Sequence, residues 1–314
     1  MSAFLGELGK KLADKWLSLL VLPGLLLLVT ATAGAALGHT GWADAAELVW
    51  KVGRASAAIQ AKGTVAAVAT AAGVLLASAA LGLAATAAGK TVQWLWLGGA
   101  RLARPLVERR RRRWRRAHEA YEAEVLCLYR HRHSEDAAPP EPFVDANDPA
   151  DPDGGDREEL GRLAAQRNRI ALAEPSRATW IGDRLAALDT RVLAHYGLDL
   201  SSAWPRLWLI VPDTARTELR VAASAFDAAA TLGGWGALYL LTGLLWWPAA
   251  VIGLVVCVTA WYRGRATMAT LTKLAEAVVD LYGRDLAAAL GLPAAGGLTA
   301  DVGRDITSRL RKHA

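Results

Sequence analysis

Three stretches of the chain contain no Asp, Glu, Lys or Arg: Trp16–Leu37, Gly63–Gly89 and Ala228–Tyr262. A helix that crosses a hydrocarbon core needs about 20 apolar residues. The first two runs each meet that length. In the first, Pro23 and Gly24 are a place to kink, tolerated in lipid where neighbours satisfy the freed carbonyl. The third run is 35 residues long, and as one helix it would extend about 52 Å, well beyond the core. Two shorter helices meeting near Trp246-Trp247-Pro248 fit better, with proline beginning the returning helix. A single, strongly tilted span is the alternative.

Elsewhere the pattern is amphipathic. Ala45, Leu48, Val49 and Val52 recur at helical spacing within Trp42–Gln60, as in a short helix lying on a membrane surface. Arg101–His133 reads as a helix bent near Pro105, with Tyr121, Val125, Leu128 and Tyr129 three and four residues apart. Ile181, Leu185, Leu188 and Val192 share one face of a helix over Trp180–Tyr196, and Gly197 is placed to cap it. Asp213, after Pro212, is an N-cap for a helix that runs on into the third apolar run. Leu271, Leu274, Val278, Val279, Leu281 and Leu286 stripe a helix over Thr267–Leu290, ended by Gly291 and Pro293. Thr299–Lys312 reads as a final basic helix after a break at 294–297. No sustained period-two run asks for a sheet.

The pattern therefore predicts an all-α integral membrane protein. It has four transmembrane helices, a helical cytoplasmic domain and a disordered acidic linker. The divisions are an N-terminal transmembrane hairpin with its surface segment (1–100), a basic juxtamembrane helix (101–134) and the acidic linker (135–159). There follow a cytoplasmic helical domain (160–227), a C-terminal transmembrane hairpin (228–262) and an amphipathic cytoplasmic tail (263–314).

Composition agrees. The chain is 53% hydrophobic but only 7% aromatic, and 13 of its aromatics are Trp. Trp16, Trp94, Trp96, Trp246, Trp247 and Trp261 flank or end the apolar runs, where an indole can keep its N–H wet. Lys10, Lys11 and Lys15 resemble the start of a signal peptide. The apolar stretch after them is too long for one, so an uncleaved span is expected, with cleavage near Ala31–Ala35 the lesser reading.

Charge gives the orientation. Arg101–Arg116 holds nine arginines and one acid, Glu108. Basic residues beside spans stay in the cytoplasm, which puts the N-terminus, the central domain and the C-terminus inside and Gly38–Lys62 outside. A single span at 228–262 would put the basic C-terminus outside, so the rule favours four. The net charge of +6 would suit nucleic acid, but the basic block follows a span. Anionic lipid headgroups are the favoured partner of Arg109, Arg110, Arg111, Arg112, Arg113, Arg115 and Arg116, with nucleic acid unlikely. Glu135–Glu159 carries ten acids against one Arg157 and five prolines, a composition that cannot bury a core.

The Tyr-Gly-Leu-Asp segment at 196–199, Trp-Pro-Arg-Leu-Trp at 204–208 and Pro-Asp at 212–213 resemble a pattern in uncharacterised bacterial membrane proteins of alanine- and arginine-rich actinobacterial type. The resemblance covers about Pro175 to Leu290. It implies a shared helical membrane module and brings no established activity or catalytic residue with it.

Candidate chemistry is sparse. His131, His133, Glu135 and Asp136 are metal-type donors, but a zinc site needs fixed geometry and a second shell, and these lie at the edge of the acidic linker. His195 suits the end of its helix. Gly233-Gly234-x-Gly236 lacks the Lys and Ser/Thr of a phosphate loop. Two cysteines, Cys127 and Cys257, make no disulfide framework. No hydrolase or zinc-protease motif is present, so no cofactor, no metal and no enzyme activity are expected. The apolar runs hold no ionisable group of the kind a carrier needs. Asp227, beside the third run, is a pore-rim candidate whose default reading is a solvated helix-end acid.

Three function classes fit these observations, an enzyme with an unrecognised site being the least favoured. One is a membrane anchor or adapter that binds a soluble cytoplasmic protein through Trp204, Arg206 and Trp208, residue types that make strong interface anchors. The alternative is a homo-oligomeric pore or membrane-perturbing effector, with Gly73, Ser78 and Gly82 as close-packing positions on the second run. Packing of that face within the chain is favoured over an oligomer interface.

Overall fold

The computed structural model describes residues 21–39, 41, 44–98, 104–135, 152–293 and 297–311. Among these the chain is all-helical: α1 Leu22–Leu37, α2 Ala45–Ala61, α3 Thr64–Trp96, α4 Arg104–Glu135, α5 Pro152–Ile170, α6 Trp180–Tyr196, α7 Leu200–Ile210, α8 Asp213–Thr242, α9 Trp247–Ala289 and α10 Ala300–Leu310. Two of them, α3 and α9, are long and apolar enough to cross a membrane, and α1 is a shorter apolar helix. The third apolar run does form two helices, turning at 243–246. The α8 side falls short of a full span because its uncharged part is only Ala228–Thr242, less than the ~20 residues a crossing needs. The chain divides into two compact units: Met1–Trp94 with Ala223–Thr267, and Leu95–Ala222 with Met268–Ala314.

The first unit is held by small residues. A Cβ on Gly24 of α1 would overlap the Ser78 carbonyl of α3, and one on Gly234 of α8 would overlap the Ala85 carbonyl. Gly236 of α8 and Gly253 of α9 also face each other closely, with a Gly253 Cβ coming within 2.9 Å of the Gly236 carbonyl. Ser78 is fully buried, and Gly82, Ala85 and Gly89 are buried beside it. The Gly233-Gly234-x-Gly236 run is thereby explained, because backbones approach where side chains are absent. Between α1 and α3, the helix α2 starts on Asp44, whose carboxylate accepts from Glu47 N–H at 2.9 Å. Lys51 of α2 donates to the Ala36 carbonyl, capping the negative end of α1. Val49, Trp50 and Val52 stay exposed on α2, and Arg54 stacks over the Trp50 ring at 5.2 Å.

The apolar surface of this unit is mostly not covered. Only 17% of the most apolar stretch of α3 and 22% of that of α9 is buried. Leu22, Leu26, Val65, Val68, Leu76, Leu244 and Val255 are all at least 60% exposed. A core helix of a globular protein hides such a surface.

The second unit has a conventional core. Leu188, Val192, Leu198, Leu207, Val211, Val279, Leu286 and Ile306 are buried together, drawn from α6, α7, α9, α10 and the turns between them. Helix α6 begins on Thr179, whose hydroxyl accepts from Gly182 N–H, and it ends at Gly197 with φ 63°. That left-handed cap is the one the sequence predicts. The α6–α7 turn is pinned from α10: Thr307 Oγ1 donates to the Gly197 carbonyl at 3.1 Å and accepts from Asp199 N–H at 2.9 Å.

Several elements depart from the sequence reading. Pro105 lies in the first turn of α4, where its missing N–H costs nothing, so it starts that helix rather than bending it. Pro152–Glu159, expected to be linker, begins α5, again with proline at the first position. Asp213 lies inside the first turn of α8, and the Pro212 carbonyl accepts from Arg216 N–H at 3.0 Å. Leu185 and Leu281 are 42% and 70% exposed, because the buried stripes of α6 and α9 are narrower than their apolar composition. The N-terminal lysines, Arg101, the 136–151 part of the linker and the 294–296 break lie outside the described residues. So do the side chains of His131, His133 and Glu135.

Candidate functional site

Helix α4 carries the arginine block, and its turn of about 100° per residue sends successive arginines to different sides. One side is built into the protein. Arg110 donates from Nε and Nη2 to Asp183 Oδ2, at 3.0 and 2.7 Å. Its Nη2 also reaches the Ile170 carbonyl at 2.9 Å. Asp183 is 3% exposed, and its other oxygen accepts from Ser176 N–H at 2.9 Å and Arg177 N–H at 2.7 Å. A buried carboxylate is tolerable only when paired and hydrogen-bonded in this way. One turn further on, the Trp114 indole donates to the Ala171 carbonyl at 3.0 Å. Arg115 donates to Glu174 Oε1 from Nε at 2.9 Å and Nη2 at 2.7 Å. Arg111 Nε lies 3.2 Å from the same oxygen, without the alignment of a hydrogen bond. Arg110, Arg111 and Arg115, expected at lipid, thus have protein partners. Burying Trp114 and satisfying Asp183 fixes the side of the helix they take.

The other side of α4 is different. Arg109, Arg112, Arg113 and Arg116 are exposed. With Pro105 and Glu108 they line a shallow groove of about 430 Å³. Arg112 Nε donates to Glu108 Oε1 at 3.0 Å. That bond, with the charges of Arg112, Arg111 and Arg115, holds the Glu108 carboxyl below the usual carboxylate range. Among the described residues Arg109, Arg113 and Arg116 meet no acid.

The Trp-Pro-Arg-Leu-Trp segment lies within α7, with Pro205 inside the helix. Its tryptophans do not stand free as partner anchors. Trp204 and Trp208 are half-buried against the core, their rings 6.2 Å apart, and Arg220 covers the Trp208 ring at 5.6 Å. Two bulky apolar rings four residues apart on an amphipathic helix are more stable packed than wet. The outward residues of α7 include Pro205, Arg206 and Leu209, the last 75% exposed.

The α6 and α9 helices border a second groove of about 490 Å³, lined by Arg191, His195, Tyr196, Glu276 and Asp280 among others. Arg191 pairs with Glu276 at 2.8 Å, and the Tyr196 hydroxyl donates to Asp280 at 2.8 Å. Burial and then that hydrogen bond push the Tyr196 phenol up to about 12. His195 sits in the last turn of α6, where a cation suits the helix dipole, its ring edge-on to Tyr196 at 4.5 Å. Arg191 and Glu276 thus neutralise each other, while Asp280 accepts from a neutral phenol. Among the described residues no three His, Cys, Asp or Glu side chains are grouped to hold a metal.

The remaining predicted positions lie in the first unit. Ser78 and Gly82 of α3 are buried within the chain, whereas Gly73 is exposed and a Cβ there would meet nothing within 4 Å. Asp227 lies in the interior of α8 rather than at a helix end, and accepts from Gln93 Nε2 at 3.1 Å.

The architecture thus defines an all-helical protein with one apolar, sparsely covered unit and one polar unit with a closed core. Comparison with known proteins found no matching family model, no matching curated protein and no matching solved structure.

Proposed function

We propose that this chain is a multi-pass membrane anchor or adapter: the apolar unit sits in the cell membrane and the polar helical unit, in the cytoplasm, binds a soluble protein. The observation that carries the membrane reading is the low coverage of α3 and α9. An apolar stretch long enough to cross a bilayer, with only about a fifth of its residues buried, suits lipid better than water. In this reading α1, α3 and the α8–α9 hairpin make four crossings. The short α8 crossing is completed by residues before Ala228, where Gln93 takes up the Asp227 carboxylate. The termini and the arginine block face the cytoplasm.

The adapter half of the proposal rests on α7. Its outward edge offers a cation and a wet leucine, Arg206 and Leu209, beside the half-covered indoles of Trp204 and Trp208. Half-buried indoles beside an exposed arginine are residue types enriched at interfaces. Placing a photocrosslinker at position 209 of the full chain in its native cells tests this. One discrete adduct of a soluble protein, lost with Arg206→Glu, is the expected result. Adducts only between copies of this chain would transfer the proposal to the homo-oligomeric pore. No adduct at 209, with one obtained at Leu185 as a control, would refute the α7 surface.

A further inference from the structure

The arginine block is not one surface, and its division points to a ligand. We infer that the outer edge of α4, formed by Arg109, Arg112, Arg113 and Arg116, is a docking surface for the phosphate headgroups of anionic lipids. This rests on the membrane reading above and narrows it to four of the seven arginines expected there.

Four guanidinium groups lie within eight residues of helix, about 11 Å along the axis, with Glu108 the one carboxylate among the groove's lining. Glu108 is already taken by Arg112. Like charges three and four residues apart on a helix repel one another, so this edge is stabilised by a further negative charge. On the inner side the same helix meets Asp183 and Glu174, and its cations are neutralised there. Among the described residues, acids therefore stand on one side of α4 and, Glu108 apart, not on the other.

Positions 109, 112, 113 and 116 follow i, i+3, i+4 and i+7, which is a straight stripe along a helix. The groove between them is shallow, and among the described residues its walls are Pro105, Glu108 and the four arginines. A closed pocket would select a single small anion; a straight, open row of guanidinium groups matches a row of phosphates in a plane. Arginine forms paired bonds to phosphate oxygens and is more easily stripped of water than lysine.

In the chain, the stripe begins thirteen residues after Trp96, the last residue of α3, and Trp94, near that end, is 53% exposed. A cluster of basic residues that follows an apolar helix in sequence is the pattern of segments that meet anionic lipid.

The chain's own acidic run, with ten acids over Glu135–Glu159, is the competing occupant, and a parent that retains its lipids in the bulk ratio is the outcome it predicts.

The test uses the full chain reconstituted in vesicles of phosphatidylcholine alone, or of phosphatidylcholine with phosphatidylglycerol. The protein is extracted in mild detergent and its retained lipids are weighed by mass spectrometry. The parent should retain phosphatidylglycerol several-fold above its share of the vesicle. Arg109→Glu, Arg113→Glu and Arg116→Glu together should return that ratio to the bulk value, while the corresponding three lysine substitutions keep most of it. The enrichment should also collapse in the parent at 1 M salt, where the Debye length is about 3 Å; this arm decides the matter even if the glutamate variant fails to fold. Flotation separates the two readings. A chain that floats with both vesicles but retains lipids in the bulk ratio overturns the docking surface and leaves the membrane reading standing. A chain that floats with neither overturns both. Nucleic acid that co-purifies and displaces phosphatidylglycerol overturns the lipid assignment in favour of a nucleic-acid surface.

Discussion

Replacing Asp183 by Ala is expected to be the most damaging single change in the polar unit. The carboxylate accepts four hydrogen bonds, two from Arg110 and two from the backbone of Ser176 and Arg177. Alanine leaves two backbone N–H groups without an acceptor, each worth about 1–3 kcal/mol when buried. It also leaves the Arg110 guanidinium, 22% exposed in its side chain, held beside the Ile170 carbonyl with its counter-charge gone. Breaking a buried pair from one side costs about 3–5 kcal/mol. At roughly 2–4 °C per kcal/mol for a unit of this size, the melting midpoint should fall by roughly 6–20 °C. Thermal unfolding of the full chain in detergent, with hydrogen exchange followed over 168–184, reads both the loss and its location. Arg110→Ala should lose a similar amount, and the double variant should lose clearly less than the sum, since no unpaired charge remains. The reasoning is refuted if either single variant stays within about 0.5 kcal/mol of the parent, which is ordinary surface behaviour, or if the two losses simply add.

Two further outcomes follow from named contacts. Gly234→Leu should abolish a stable, monodisperse apolar unit, because even a Cβ overlaps the Ala85 carbonyl, whereas Gly73→Leu meets open space and should leave the elution profile unchanged; size-exclusion chromatography in mild detergent checks both. At the other end of the chain, the Ser201 hydroxyl and then Arg311 hold the Asp199 carboxyl far below the usual range. A carboxyl depressed by folding stabilises the protein above the unfolded value of about 3.9, and that contribution is lost as pH falls below it toward the folded value. Asp199→Asn keeps a comparable cap but loses the charged partner of Arg311; it should therefore cost up to about 1 kcal/mol near neutral pH, the range of a partly exposed ion pair, and the deficit should shrink in melts taken below pH 4. A deficit that is constant from pH 7 to pH 3 would contradict the assignment.

How much of this was legible in the sequence depends on how local each signal is. The Gly197 cap, the reversal at Trp246-Trp247-Pro248 and the helix after Thr299 are decided by residues within one turn, and each stands where its residues place it. The Arg110–Asp183 pair joins residues 73 apart, and nothing within the block sets Arg110 off from Arg109 or Arg113. The readable trace was on the other partner. Asp183 is a lone acid between the buried positions Gly182 and Ala187 of α6, and an acid on a buried face requires a cation from elsewhere. The tryptophans of α7 misled for a similar reason. Trp and Arg together describe an interface or a packed helix equally well, and only the core behind Trp204 and Trp208 separates the two.

The apolar unit shows the same limit from the other side. Both halves of α3 from Thr64 to Gly89 are uncharged and rich in Ala, yet their surroundings differ. From Ser78 to Gly89 the helix buries small residues, and at Ser78 and Gly89 it is approached by α1 and α8. From Thr64 to Leu76 it is mostly exposed, Gly73 included. What differs is the partner: Gly24 and Gly234 let two helices close on the second half, and no described helix brings a glycine to the first. In lipid, apolar surface alone does not drive helices together, so close approach at small residues has to do so. The small positions at Ser78 and Gly82 are therefore spent inside the chain. Any contact between copies through α3 would have to use the Thr64–Leu76 half, where Gly73→Leu leaves the fold alone and can report on assembly by itself.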